Sequence, residues 1–144
     1  MTETYMVDTG VFLRWYIPQV GFEHAREVRD RFLAGEIRLE TVDSVRLEWA
    51  NLLRKKGLLE HRLDPEEFVD AVGHLDTLGV VVHHTDVDSL ELCAKLAVKR
   101  HLSFFDAVVA ERALRAGIPL LTADKGLCNA MAGMVRTELL RGVA

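Results

Sequence analysis

Tyr5-Met6-Val7-Asp8-Thr9 is a short apolar run that stops at an acid. Three successive apolar residues suit a strand buried on both faces, the pattern of a parallel sheet. Near the other end, Ile118-Pro119-Leu120-Leu121-Thr122-Ala123-Asp124 has the same form: an apolar strand that Pro119 can open and that ends near Asp124. In open parallel sheets the ligand site lies beyond the carboxyl ends of the strands. Asp8 and Asp124 therefore belong on one rim.

Between these two runs, β-rich stretches alternate with helical patterns. Ala25, Val28 and Phe32 share one side of a helix expected from Phe22 to Ala34, with Gly35 as its stop, and Ile37 to Val42 reads as the second strand. A helix is expected from Val45 to Lys56. Asp64-Pro65-Glu66-Glu67 combines a capping acid, a first-turn proline and a capping-box glutamate, opening a helix expected to end at Gly79. Val80 to His83 is a third strand, and Leu90, Cys93, Ala94 and Ala97 mark a helix from Val87 to Arg100. Ser103 opens a further helix that Gly117 closes, and a last short strand is expected at Met134 to Arg136. Strand–helix alternation predicts an α/β fold: helices on both faces of a central, mainly parallel sheet of four to five strands.

The chain has 144 residues, which suits one domain spanning 1–144. It is 49% hydrophobic and 28% charged, ordinary for a soluble protein, and no apolar window approaches the roughly 18 residues of a membrane span. The amino-terminal residues lack the basic flank and apolar run of a secretory signal, so a cytoplasmic protein is expected. Cys93 and Cys128 are far apart and lack zinc or disulfide spacing; buried, reduced thiols are expected. A net charge of −4 argues against unaided, nonspecific nucleic-acid binding but is silent on local patches.

Four acids stand out. Asp8 could be a turn or capping residue. Glu48 shares a helix face with Val45 and Leu52, adjoins the large apolar Trp49, and has no Lys or Arg three or four positions away; alternatively it reaches water from the stripe's edge. Asp106 lies three residues after Ser103, as in a capping box, and on the same side as the small residues Ala110 and Ala113. Asp124 could start a helical turn and pair with Lys125. Should the four converge, their charges need compensation, since two unit charges about 4 Å apart repel by about 4 kcal/mol at an effective dielectric near 20. A hard divalent ion such as magnesium, bound through carboxylates and water, is the natural remedy.

Taken together, Met6-Val7-Asp8-Thr9, Leu47-Glu48-Trp49-Ala50-Asn51, Ser103-Phe104-Phe105-Asp106-Ala107 and Leu121-Thr122-Ala123-Asp124 resemble the PIN domain, and in particular the VapC-type toxins of bacterial toxin–antitoxin pairs. The pieces are individually short; their order, spacing and context are specific, and they cover nearly the whole chain. The resemblance implies an acidic site of Asp8, Glu48, Asp106 and Asp124, with Thr9 and Thr122 as supporting hydroxyls and Asp8, Asp106 and Asp124 on the metal. It implies Mg²⁺ (or Mn²⁺), cleavage of single-stranded or looped RNA, a homodimer, and silencing by a cognate antitoxin protein. Gly10 departs from the family pattern, which has a hydroxyl or amide side chain there and hence one more hydrogen bond around the site. Lys125-Gly126-Leu127 replaces a commoner aromatic-containing continuation.

The mechanism expected from these readings has one or two carboxylate-held metal ions activating water for in-line attack on a phosphodiester. In it Asp8 and Asp106 hold the principal ion, Asp124 supports a second ion or its waters and Glu48 orients or deprotonates the water, the last two roles being interchangeable from sequence. Arg14, Arg54, Lys55, Lys95, Lys99 and Arg100 are the candidates for phosphate contacts. Two rivals carry different chemistry. A phosphatase using Asp8 as nucleophile wants an acid at position 10, where Gly10 stands; a PIN-fold binding module would keep the acids without turnover. Neither G-x-S-x-G nor a P-loop occurs.

Overall fold

The computed structural model describes residues 2–144. Strands β1 (Glu3–Val7), β2 (Ile37–Val42), β3 (Val81–His83), β4 (Leu120–Thr122) and β5 (Thr137–Leu139) form one sheet in the order β3-β2-β1-β4-β5. Each neighbouring pair is parallel. β1 lies at the centre because its residues can be dry on both faces: Tyr5, Met6 and Val7 are all buried. The helices are α1 (Thr9–Leu13), α2 (Phe22–Leu33), α3 (Asp43–Leu52), α4 (Pro65–Val72), α5 (His74–Leu78), α6 (Val87–Arg100), α7 (Phe104–Ala116) and α8 (Lys125–Met131). Right-handed crossovers put the β1–β2 and β2–β3 connections on one face and the β3–β4 and β4–β5 connections on the other. The result is a three-layer α/β/α arrangement.

The chain leaves β1 toward β2 and later returns to lay β4 on the opposite side of β1. Strand order therefore reverses between β1 and β4, and the carboxyl ends of those two strands flank a crevice. The crevice is held in shape by buried aromatic residues. Phe12 and Trp15 meet edge to face at 5.1 Å and anchor α1. Trp49, fully buried on α3, packs against Tyr16 at 5.8 Å and so pins the helix that carries its neighbour Glu48.

Several expected boundaries move. The third helix starts at Asp43, not Val45, since Asp43 Oδ1 accepts the Ser44 N–H at 2.8 Å directly after β2. It also runs past Lys56 as a π-helical segment from Leu53 to Leu58. Close packing explains the segment's end: a Cβ at Gly57 would stand 2.7 Å from Leu63 Cδ1, and the Gly57 carbonyl accepts the N–H groups of Arg62 and Leu63. The helix expected from Asp64 to Gly79 divides at Gly73 into α4 and α5, although its Asp64–Glu67 capping box forms. The last strand is not Met134 to Arg136. The N–H groups of Met134 and Val135 turn back to the Met131 carbonyl at 3.0 and 3.3 Å, and sheet pairing begins only at Arg136, whose carbonyl accepts the Leu120 N–H at 2.9 Å. Both cysteines are free, Cys93 buried and Cys128 half-buried. No helix among the described residues is long and apolar enough to cross a membrane.

Candidate metal and nucleic-acid site

Asp8, Thr9, Gly10, Arg14, Glu48, Leu52, Asp106, Ala123 and Asp124 line one cavity of about 280 Å³ at the β1/β4 rim. Each acid arrives there for a local reason. Asp8 ends β1 and caps α1, its Oδ1 accepting the Thr9 N–H at 2.8 Å. Asp124 leaves β4 and caps α8, its Oδ1 accepting the Leu127 N–H at 3.2 Å. Asp106 sits in the first turn of α7, where Ser103 Oγ accepts its N–H at 3.1 Å. Three helix amino termini thus face the cavity, and their N–H dipoles make clustered negative charge more tolerable. Glu48 comes from the middle of α3 and accepts a hydrogen bond from the Thr9 hydroxyl. It does not swing out to water.

Thr122 is fully buried behind the cavity and joins two of the acids. Its hydroxyl donates to Asp8 Oδ2 at 2.9 Å and accepts the Asp124 N–H at 3.0 Å. Thr9 joins a different pair, Asp8 through its N–H and Glu48 through its hydroxyl. The family resemblance implies both threonines as neighbours of the acids; their hydrogen-bond partners lie up to 114 positions away and carry no signal in the sequence. Gly126 keeps space clear, since a Cβ there would stand 3.1 Å from Asp124 Oδ1.

Burial raises the Asp8 pKa to about 6; the charges of Asp106 and Glu48 push the same way, while hydrogen bonds from Thr9 and Thr122 oppose them. Burial also raises Asp106, helped by the charges of Asp124 and Glu48 and resisted by Ser103. None of the four acids forms an ion pair with a Lys, Arg or His among the described residues. Asp124 caps its helix and leaves Lys125 unpaired with it. The donor set is all carboxylate oxygen and without an ion-pair partner, which fits a hard divalent cation. No three acidic, His or Cys side chains among the described residues are already drawn into a ligand shell.

Of the basic residues singled out in the sequence, Arg14 lines this cavity. Lys95 and Lys99 line a separate groove between α6 and α7, and Arg100 lies against Met134 Sδ. The spacing of charges along the chain carried no signal for that distinction.

A family model for the PIN domain matches residues 5–132. No curated protein matches the sequence. Among solved structures, Mycobacterium tuberculosis VapC20, described as a Sarcin-Ricin loop cleaving toxin, is similar at 22% identity and TM-score 0.69, over 92% of this chain and 98% of that one. PAE2754 from Pyrobaculum aerophilum is similar at 24% identity and TM-score 0.65, over 94% and 92% of the two chains. VapBC-5 from Mycobacterium tuberculosis, a member of the VapBC family of toxin–antitoxin systems, is similar at 17% identity and TM-score 0.57, over 96% and 98%. At these identities the likeness is one of fold.

Proposed function

The chain belongs to the PIN-domain family, and from that membership we propose that it is a metal-dependent endoribonuclease, the toxin of a toxin–antitoxin pair. The observation that carries the reading is the convergence of four unpaired carboxylates, from four separate segments, on one cavity at the switch point of the sheet. Asp8, Asp106 and Asp124 would hold one or two Mg²⁺ or Mn²⁺ ions. A cation held there would supply a bound water of lowered pKa and positive charge toward the departing oxygen of a phosphodiester. Glu48 takes or orients the proton of the attacking water, and the Thr9 hydroxyl holds its carboxylate in place. Thr122 holds Asp8 Oδ2 and the Thr9 N–H holds Asp8 Oδ1, and each oxygen keeps a second lone pair for a cation.

Purified protein incubated with mixed cellular RNA should cut it with Mg²⁺ or Mn²⁺ and stop when EDTA is added. Asp106→Asn, checked for native folding by circular dichroism, should fail under the same conditions. Undiminished cutting in EDTA, or by Asp106→Asn, rules the reading out; metal binding without cleavage of any RNA favours a binding module.

The partners belong to the same proposal: RNA as substrate, a cognate antitoxin, and a second copy of the chain, with the protein acting in the cytoplasm. Support for the antitoxin comes from the toxin–antitoxin relatives. Support for the second copy comes from a groove lined by Leu47, Leu90, Phe104 and Phe105, all left exposed beside α3 and α7. Sedimentation equilibrium should show a dimer that Phe105→Ser weakens roughly tenfold or more, the effect of losing an aromatic anchor. A monomer at the same concentrations would remove the homodimer from the proposal.

A further inference from the structure

Arg14 caps the carboxyl end of α1 and extends its guanidinium into the wall of the acidic cavity. Nη1 donates to the Gly10 carbonyl at 2.8 Å and Nε to the Val20 carbonyl at 2.7 Å. These two neutral acceptors fix the fork without neutralising it. A guanidinium has five N–H donors; two are used here, and the other three have no acceptor among the described hydrogen bonds. Arg14 also has no carboxylate partner among the described ion pairs, although four acids line the same cavity. It is half-buried, and burial works against its charge. A cation held this way, with spare donors and no counter-ion, is a site for an anion.

Gly10 leaves room beside the guanidinium. A Cβ at that position would stand 3.2 Å from Arg14 Nη1 and 3.2 Å from Ala123 Cβ, so a side chain there would press both neighbours to give by a few tenths of an ångström. What the sequence presents as a missing polar side chain is, in the structure, room for a cation.

We propose that Arg14 is a phosphate clamp: its fixed fork binds a non-bridging oxygen of the RNA backbone beside the bond that is cut. The proposal rests on the nuclease reading of the cavity and names what seats the substrate there. A rim of four carboxylates on a chain of net charge −4 repels a polyanion. An arginine immobilised before binding offers a charge-assisted hydrogen bond with little side-chain entropy left to lose. Lysine in its place would supply charge without the two-pronged geometry.

The test is single-turnover cleavage of trace labelled random-sequence RNA by excess enzyme with Mn²⁺, for wild type, Arg14→Gln, Arg14→Lys and Gly10→Ala, across a range of salt. Arg14→Gln should raise the half-saturating enzyme concentration about tenfold to a hundredfold, the loss of a charged hydrogen bond. The limiting rate should change far less. The slope of log affinity against log salt should shrink by about 0.7, one single-strand phosphate contact. Arg14→Lys should recover the salt slope but not the full affinity, and Gly10→Ala should weaken binding with the guanidinium still present. Mn²⁺ affinity without RNA, read by calorimetry, should not fall in Arg14→Gln. A merely structural Arg14 would instead lower the melting temperature and limiting rate and leave the salt slope at its wild-type value, and that result overturns the clamp. Wild-type protein that neither binds nor cuts RNA overturns the nuclease reading and the clamp with it. Wild-type cutting with half-saturation and salt slope unchanged in Arg14→Gln overturns the clamp alone.

Discussion

Asp8→Asn should cut RNA cleavage about a thousandfold, the several kcal/mol that a bound cation contributes to the transition state, and should make the metal-free protein more stable. The two effects have one cause. Asp8 is buried, and burial with help from the charges of Asp106 and Glu48 lifts its pKa from 3.8 to about 6. The folded protein therefore holds this proton more tightly than the unfolded chain. The stability this supplies is fully present below about pH 3.8 and is lost as pH rises through about 6. Above that, the gap amounts to about 3 kcal/mol of cost for an ionised buried carboxylate without a cation, an upper figure. Asparagine carries no such charge and can still accept the Thr9 N–H.

Thermal melts in EDTA should show Asp8→Asn several degrees more stable than wild type near about pH 7.5, at about 2–4 °C per kcal/mol for a chain of this size. Near about pH 4 the two should approach each other, since both side chains are then neutral. Added Mn²⁺ should stabilise wild type, by preferential binding to the folded state, and not the variant. A variant less stable than wild type at neutral pH in EDTA contradicts the view that Asp8 carries an uncompensated charge.

Glu48→Gln should lower the limiting cleavage rate about 10²- to 10⁴-fold, the range for removing a general base, while calorimetric Mn²⁺ affinity stays near wild type. The contrast with Asp8 follows from position. Asp8 is braced by two donors, Thr9 and Thr122, at the base of the cavity; Glu48 reaches in from α3 on the longer side chain, held by the Thr9 hydroxyl. Thr9→Val should produce a smaller loss, about 10- to 100-fold, because it frees Glu48 without removing it. Should Glu48→Gln weaken Mn²⁺ binding as strongly as Asp8→Asn, Glu48 is a ligand and the proton-handling role passes to Asp124.

Much of the architecture was readable in advance where the signal was local. The apolar run ending at Asp8, the strand at Ile37–Val42, the Asp64-Pro65 start and the Gly117 stop all have their causes within a few residues. The errors fall where distant packing overrides local preference. Met134 and Val135 look like a strand but close the turn after α8, and the helix around Gly73 breaks although no proline interrupts it. The short α1 has too few residues for any periodicity and forms because Asp8 caps it and Phe12 and Trp15 pack beneath it.

Asp8 and Asp124 drew notice by their placement after β1 and β4, and the set of Asp8, Glu48, Asp106 and Asp124 came from the order and spacing of the pieces that resemble the family. Which groups touch was settled by folding alone. Thr122 meets Asp8 across 114 positions, Thr9 meets Glu48 across 39, and Arg14 occupies space that Gly10 leaves beside Ala123. Hydrogen bonds and van der Waals contacts act over a few ångströms in space, and separation along the chain leaves no trace of them until the sheet has brought its strands into register.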